Sequence, residues 1–207
     1  MRYQEFKDKL KDFVVFTLND IRKIDPDFYR RRLNEWQDKG YIKKLRRGFY
    51  IFSDLLLNEQ SLYLIANKLY VPSYVSFEAA LSYYGLIPEG VYSMTCVSTK
   101  KTSRFKTPIT TFLYRSIRPS LFFGYKLVKY MGQAYKMAEI EKVFLDYVYF
   151  NPKVADKLDF YEWRFNSEEF LAKADMGKLQ QYAIAFKNKK FSVRIKKILE
   201  FIKKEQE

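Results

Sequence analysis

Three carboxylates that lie close together in the chain, Glu139, Glu141 and Asp146, are the residues best suited to metal or acid–base chemistry. Carboxylates alone can support metal-dependent phosphoryl chemistry. Glu139 and Asp146 are seven residues apart and share one side of a predicted helix, whereas Glu141 lies elsewhere on it. We therefore expect these side chains to form structural ion pairs and helix caps, with no catalytic role, no bound metal and no cofactor.

The 207-residue chain contains no histidine and a single cysteine, Cys96. Without histidine, the commonest general base is missing, and nothing is available to activate Ser73 or Ser76 as a nucleophile. A lone cysteine forms neither an internal disulfide nor a zinc site, so Cys96 is expected to be a small core residue on a strand. No glycine-rich phosphate loop is present either. These observations predict a protein that is not an enzyme.

Basic residues offer the other chemistry, which is binding to nucleic-acid phosphates and base edges. The formal net charge is +14, a value typical of proteins with an anionic partner. Arginines fill positions 30–32, and a second basic run covers positions 43–47. The residues predicted to contact DNA are Arg30, Arg31 and Asn34 at base edges, Arg32, Arg46 and Arg47 on phosphates, and Lys43 and Lys44 beside them.

A helix over residues 26–39 is expected to present the first of these basic runs. Asp25 and Pro26 resemble a helix N-cap and first turn, and Gly40 is a typical stop. Helical spacing puts Tyr29, Leu33 and Trp36 on one buried side. Arg31 then points away from the core, in the part of a recognition helix that usually reaches base edges.

Neighbouring segments complete a winged helix-turn-helix prediction. Thr17, with Asp20 three residues later, predicts the capped start of a preceding helix. Residues 41–45 and 49–52 predict two strands joined by a basic turn that contains Gly48. The alternatives are a solvated basic helix face and a winged helix used for protein docking. Residues 1–53 are expected to form this unit, after a first helix over residues 3–13.

The remainder, residues 54–207, predicts a mixed α/β domain, so the whole chain belongs to the α+β class. The predicted elements are helices over residues 55–69, 77–84 and 138–149 and strands over 93–98, 110–117 and 121–128. Beyond residue 152 we expect a helical extension, with helices capped by Ser167 and Ser192. Its last helix has lysines opposite an apolar stripe.

Two lysine-rich segments predict a second basic surface. Its residues are Lys100, Lys101, Arg104 and Lys106 in a loop between strands, and Lys196, Lys197, Lys203 and Lys204 on the last helix. This surface could contact phosphates, or it could be a solvated rim that keeps the protein soluble. The abundant aromatic residues could likewise stack on single-stranded nucleic acid, although helix and strand spacing favours a place in the core.

Several of these segments together resemble the AbiEi-like antitoxins of type IV toxin–antitoxin systems. The resemblance covers about residues 10–150, and residues from Pro152 onward share no motif with the family. The segments are Arg31-Arg32-Leu33, Gly40, Arg46-Arg47-Gly48-Phe49-Tyr50, Pro72-Ser73-Tyr74-Val75-Ser76-Phe77-Glu78-Ala79-Ala80-Leu81, Tyr84-Gly85-Leu86-Ile87-Pro88, and the pairs Glu141-Lys142 and Leu145-Asp146.

The resemblance implies a bacterial autoregulator whose winged helix binds double-stranded DNA at repeats in its own operator. It also implies that the second domain counteracts a nucleotidyltransferase-like toxin without holding it in a stable complex. Relatives of this kind also occur as orphan regulators, and an RNA- or protein-docking module is the remaining alternative. No apolar run approaches the length of a spanning helix, so we expect a cytoplasmic protein with no membrane partner.

Overall fold

The computed structural model describes residues 2–88, 90, 92–153 and 163–204. This part of the chain has a mixed α+β fold with two separate β-sheets, which confirms the predicted fold class at that level.

The N-terminal part contains three helices and a small antiparallel sheet. The elements in chain order are α1 (Tyr3–Leu10), β1 (Phe16–Thr17), α2 (Leu18–Ile24), α3 (Arg31–Asp38), β2 (Ile42–Arg46) and β3 (Phe49–Phe52). The strand order is β1-β3-β2. A two-residue turn, Arg47 and Gly48, joins β2 to β3, and Gly48 has a φ of +87°, which favours glycine.

Aromatic side chains form the core beneath these helices. The Trp36 ring of α3 lies 4.5 Å from the Phe6 ring of α1 and 5.6 Å from the Phe28 ring. Phe6 also packs edge-on against Phe16 of β1 and Phe52 of β3. One cluster of rings therefore fixes α1 and α3 to the sheet, since aromatic rings bury large areas in edge-to-face or offset contacts.

The rest of the chain is built around a six-stranded mixed sheet of order β6-β7-β5-β4-β9-β8. Its elements are α4 (Glu59–Leu69), β4 (Ser73–Val75), α5 (Phe77–Tyr83), β5 (Ser93–Ser98), β6 (Ser103–Lys106), β7 (Thr111–Ser116), a 3-10 turn (Pro119–Leu121), β8 (Tyr125–Tyr130), β9 (Gln133–Ala138) and α6 (Ile140–Phe150). Among the described residues, three further helices follow: α7 (Ser167–Lys173), α8 (Met176–Ala185) and α9 (Lys189–Lys204).

Helices cover both faces of this sheet. On one face, the Tyr114 hydroxyl of β7 donates to the Ala66 carbonyl of α4. On the other face, the Thr95 hydroxyl of β5 accepts from the Ala79 amide of α5. Because successive residues of a strand point to opposite faces, the neighbours Leu113 and Arg115 of β7 face the α5 side.

Three strand predictions need correction. Arg104 and Lys106 do not lie in a loop, because residues 103–106 form the edge strand β6 paired with β7. The segment 121–128 is divided between the 3-10 turn and β8. Strand β9 was not predicted, and Ala138 belongs to it instead of starting the next helix. A hairpin with Met131 and Gly132 at positive φ (+47° and +69°) pairs β8 with β9.

The helix caps in the C-terminal region also differ from the prediction. The Asn166 side chain accepts from the Glu169 amide, so Asn166 caps α7 and Ser167 is its first residue. Asn188 accepts from the Phe191 amide at the start of α9. Ser192 therefore lies inside α9, where its hydroxyl donates to the Asn188 carbonyl. The predicted helical extension over residues 152–207 includes residues 154–162 and 205–207, which lie outside the described part.

Buried hydrophobic residues form two clusters. One is the aromatic core of the N-terminal elements, and the other fills both faces of the six-stranded sheet. The second cluster includes Val14, Val15, Leu45 and Ile51 from the N-terminal part. The small sheet therefore packs on the rest of the protein, and the boundary at residues 53 and 54 stays a prediction.

Candidate nucleic-acid interface

Helix α2 has the predicted capping box. The Asp20 amide donates to the Thr17 hydroxyl oxygen over 3.3 Å, and the Thr17 amide donates to the Asp20 carboxylate over 2.9 Å. These reciprocal bonds satisfy amides that have no partner within the helix. Thr17 and Asp20 therefore fix where α2 leaves the sheet.

Helix α3 starts later than predicted. The Asp25 amide donates to the Ile21 carbonyl, so Asp25 closes α2 and does not cap α3. Phe28 is buried in the aromatic core, whereas Tyr29, which helical spacing placed on the buried side, has 72% of its surface exposed. The backbone between α2 and α3 is not helical, and this lets Phe28 enter the core. Helix α3 therefore begins only at Arg31.

The start of α3 exposes several of the predicted DNA-binding residues. Arg30, Arg31 and Asn34 are exposed, and Arg32 is half-buried. The Arg31 side chain has 79% of its surface exposed and lies 3.8 Å from the Glu35 carboxylate. On the opposite side, Leu33 and Trp36 hold the helix in the core. This arrangement presents hydrogen-bond donors to solvent from a well-anchored helix.

The β2–β3 hairpin adds three exposed cations. Ile42 and Leu45 of β2 are buried, while Lys43, Lys44 and the turn residue Arg47 are exposed. Gly40 leads into this hairpin from α3. Its φ is +71°, and its amide donates to the Gln37 carbonyl, so the predicted helix stop is confirmed.

Arg46 does not point to solvent, contrary to its predicted role on phosphates. Its guanidinium donates to the Leu69 carbonyl of α4 over 2.8 Å and lies 4.4 Å above the Phe105 ring of β6. It also lies 5.3 Å above the Phe49 ring of β3. Arg46 thus connects the hairpin to the larger sheet.

The residues of the predicted second basic surface lie on two different parts of the fold. Lys100, Lys101, Arg104 and Lys106 are exposed on β6 and the segment before it. This part adjoins the hairpin, because Arg46 contacts Phe105 of β6. Exposed Lys196, Lys197, Lys203 and Lys204 lie on α9, which packs on α6 and α8.

The candidate carboxylates have separate structural partners. Glu139 accepts from Lys178 (2.8 Å) and Tyr182 (2.5 Å), and Glu141 accepts from the Asp175 amide. Burial acts to raise the pKa of Glu139, but the hydrogen bonds from Lys178 and Tyr182 lower it below the ordinary value. Among the described residues, no group of three His, Cys, Asp or Glu side chains could hold a metal ion.

Asp146 belongs to a fully buried polar cluster that sequence analysis did not predict. Its carboxylate accepts from Tyr74 (2.9 Å), Ser76 (3.0 Å) and the Lys142 ammonium. Burial raises the pKa of Asp146 and lowers the pKa of Lys142. The sequence signal for this buried pair is a helix that is apolar on nearly every side and has one lysine and one aspartate four residues apart. Ser76 is thereby engaged with Asp146, and its side chain makes no cap bond to α5.

No protein-family model matches the chain, and no curated protein matches it significantly. None of the helices among the described residues is long and apolar enough to cross a membrane.

Proposed function

We propose that residues 1–53 form a winged helix-turn-helix that binds double-stranded DNA, and that the protein is a transcriptional regulator. The order of elements supports this proposal, because two helices, a third helix and a β-hairpin follow each other as they do in winged helices. The small sheet of β1, β3 and β2 is the corresponding wing sheet. In this proposal α3 is the recognition helix.

The observation that carries the proposal is the set of exposed cations on two adjoining elements. Arg30 and Arg31 lie at the N-terminal end of α3, and Lys43, Lys44 and Arg47 lie on the hairpin that follows it. The aromatic core holds both elements rigidly, so these side chains form a preorganised surface for phosphates and base edges.

The antitoxin role extends this proposal and has its support in the sequence resemblance to AbiEi-like antitoxins. In this role the protein represses its own operon and counteracts a nucleotidyltransferase-like toxin encoded beside it. Exposed basic residues on β6, on the segment before it and on α9 offer a physical route, because they could compete with such a toxin for a nucleic-acid substrate.

The experiment that tests DNA binding measures the anisotropy of labelled fragments from the protein's own promoter. We expect binding of the full chain to a promoter fragment in preference to a scrambled duplex of equal length, with a strong dependence on salt. An RNA hairpin serves as the control ligand. Binding to the RNA alone would favour an RNA-docking module, and binding to neither would favour a protein-docking role.

A further inference from the structure

A cleft on the α5 side of the larger sheet has features that DNA binding does not use. Its volume is about 420 Å³, which falls within the roughly 300–1,000 Å³ of small-molecule sites. Strands β5 and β7 supply its floor, and α5 and α6 supply part of its walls. The residues that line it include Phe77, Glu78, Leu113, Arg115, Tyr147 and Trp163.

Three polar groups in this cleft lack a hydrogen-bond or ion-pair partner among the described residues. The half-buried guanidinium of Arg115 lies 5.0 Å above the Phe77 ring and 5.8 Å above the Phe150 ring. Within the described part of the chain, it makes no hydrogen bond or ion pair, and neither do the Glu78 carboxylate and the Tyr147 hydroxyl. Unpaired and partly desolvated charges are costly, and a ligand that pairs them removes that cost.

Glu78 and Arg115 act on the same hydroxyl group. Burial and the Glu78 charge raise the pKa of Tyr147 while Arg115 lowers it, and the net value is about 12. The carboxylate and the guanidinium are therefore both near Tyr147, yet they form no ion pair with each other. A ligand that carries both a cationic and an anionic group could pair with each of them.

The backbone at Phe77 is strained in a way that shapes the cleft. Its φ is +54°, in the left-handed region that bulky residues rarely adopt. The next residue, Glu78, also lines the cleft, so two successive side chains of one segment face the same space. Strain of this kind is concentrated at binding sites, where the surrounding structure maintains it.

The ligand class follows from charge and from the aromatic packing. Arg115 and Glu78 are the charged residues among those described at the cleft, so their charges cancel, which disfavours a phosphorylated ligand. Trp163 is stacked on Tyr147 (4.1 Å, 2°) and on Phe165 (4.4 Å, 28°). Two near-parallel rings this close must occupy opposite faces of Trp163, so no face of that ring is open for a nucleobase.

We propose that this cleft binds a free α-amino acid with an apolar side chain. Arg115 donates to the α-carboxylate, a pairing that its planar guanidinium favours. Glu78 accepts from the α-ammonium group, and the apolar side chain of the ligand packs on Phe77 and Leu113. The proposal is independent of DNA binding, since the cleft shares no residue with α3 or the hairpin.

Isothermal titration of the full chain with apolar α-amino acids tests this assignment. Leucine and phenylalanine are each compared with an analogue that lacks the carboxylate (isoamylamine, phenethylamine) and one that lacks the ammonium group (4-methylpentanoate, 3-phenylpropanoate). We expect saturable binding of at least one amino acid, and binding at least about tenfold weaker for both of its analogues. Equal binding of an analogue, or binding of a nucleoside but no amino acid, would overturn the assignment.

Two variants and a matched control localise the ligand. Arg115→Met and Glu78→Gln should each weaken binding by about tenfold or more, while Arg104→Met on the exposed edge strand should leave it unchanged. Circular dichroism shows whether Arg115→Met folds. If it does not, Glu78→Gln, which preserves side-chain size, provides the test of ligand binding. Unchanged affinity in Glu78→Gln, or no binding of any α-amino acid to the wild-type chain, would contradict the proposal.

Discussion

Arg46 and Arg47 are neighbours in the chain with opposite surroundings. Arg46 is held by the Leu69 carbonyl and the Phe105 ring, whereas Arg47 is exposed in the hairpin turn. Arg46→Ala should lower the free energy of unfolding by about 1–3 kcal/mol, because it removes a charged hydrogen bond and cation–π contacts. Urea denaturation measures this loss.

Arg47→Ala is the matched substitution for the same experiment. Its stability should stay within about 0.5 kcal/mol of wild type, as for most exposed sites. Its DNA affinity should fall for all sequences alike, with a salt slope that is smaller by about one. Equal destabilisation by both substitutions would contradict the different roles assigned to Arg46 and Arg47.

Glu35 faces the most exposed arginine of α3. Its carboxylate lies 3.8 Å from Arg31, and it competes with DNA for that guanidinium while repelling phosphates. Glu35→Gln should therefore raise DNA affinity by roughly two- to fivefold, the factor expected from an exposed ion pair of a few tenths to 1 kcal/mol. Titration of promoter DNA at fixed salt measures the change, and Asp8→Asn on α1 is the control.

Lys142 shows how a buried charge depends on its partner. Removing it by Lys142→Met leaves Asp146 without its counter-charge, which should cost about 3–5 kcal/mol of stability. The double variant Lys142→Met/Asp146→Leu should recover part of that loss, because no isolated charge remains. Chemical denaturation of wild type, Lys142→Met, Asp146→Leu and the double variant gives the coupling energy between the two residues. Losses of stability that simply add would contradict this coupling.

At the scale of elements, the segment before β8 packs closely on two helices. Gly124 has a φ of +71°, and a Cβ there would lie 2.9 Å from the Tyr182 ring and 3.1 Å from the Lys142 side chain. Gly124→Ala should therefore lower the melting temperature, with a cost of about 1–3 kcal/mol from strain and crowding. Gly132→Ala is the control, since it has similar φ (+69°) but no atom within 4 Å.

Some elements were predictable because their determinants are local. The Thr17–Asp20 capping box, the Gly40 helix stop and the strand Ser93–Ser98 match the structure. Strand β9 was missed because the turn at Met131 and Gly132 that joins it to β8 was not recognised, and because its pairing with β4 depends on residues distant in the chain. Tertiary packing likewise decided that Phe28 and not Tyr29 enters the core, which moved the start of α3 to Arg31.

The site was less predictable than the fold for a similar physical reason. Exposure of Arg31 and Arg47 follows from local position on a helix face and in a turn. The inward orientation of Arg46 depends on Leu69 and Phe105, and the cleft around Arg115 joins residues from α5, β5, β7 and α6. Spacing within one segment carries no information about such contacts.

At the scale of the whole molecule, the N-terminal elements share a core with the larger sheet. Val14, Val15, Leu45 and Ile51 belong to the same hydrophobic cluster as the six-stranded sheet. Residues 54–207 alone should therefore expose apolar surface and be less stable than the full chain. A lower melting temperature and stronger binding of a hydrophobic dye are expected, and an unchanged melting temperature would contradict a shared core.

The proposed antitoxin role is best tested in the intact chain for that reason. Co-expression of a neighbouring nucleotidyltransferase with the Arg31→Ala variant separates repression from neutralisation. If the second unit neutralises the toxin, this variant should rescue growth as well as wild type when both genes use an unrelated promoter. Failure of both wild type and Arg31→Ala to rescue would indicate that repression through α3 is the whole effect.

The most direct measurement is the affinity of the full chain for its own promoter, compared between wild type and Arg31→Ala. The predicted result is specific binding of the wild-type protein, with Arg31→Ala weaker by about 1–3 kcal/mol and less selective over a scrambled duplex. Both proteins should have equal melting temperatures, because Arg31 is exposed. Wild-type protein that binds promoter and scrambled DNA equally, or an Arg31→Ala variant with unchanged affinity and selectivity, would contradict recognition by α3.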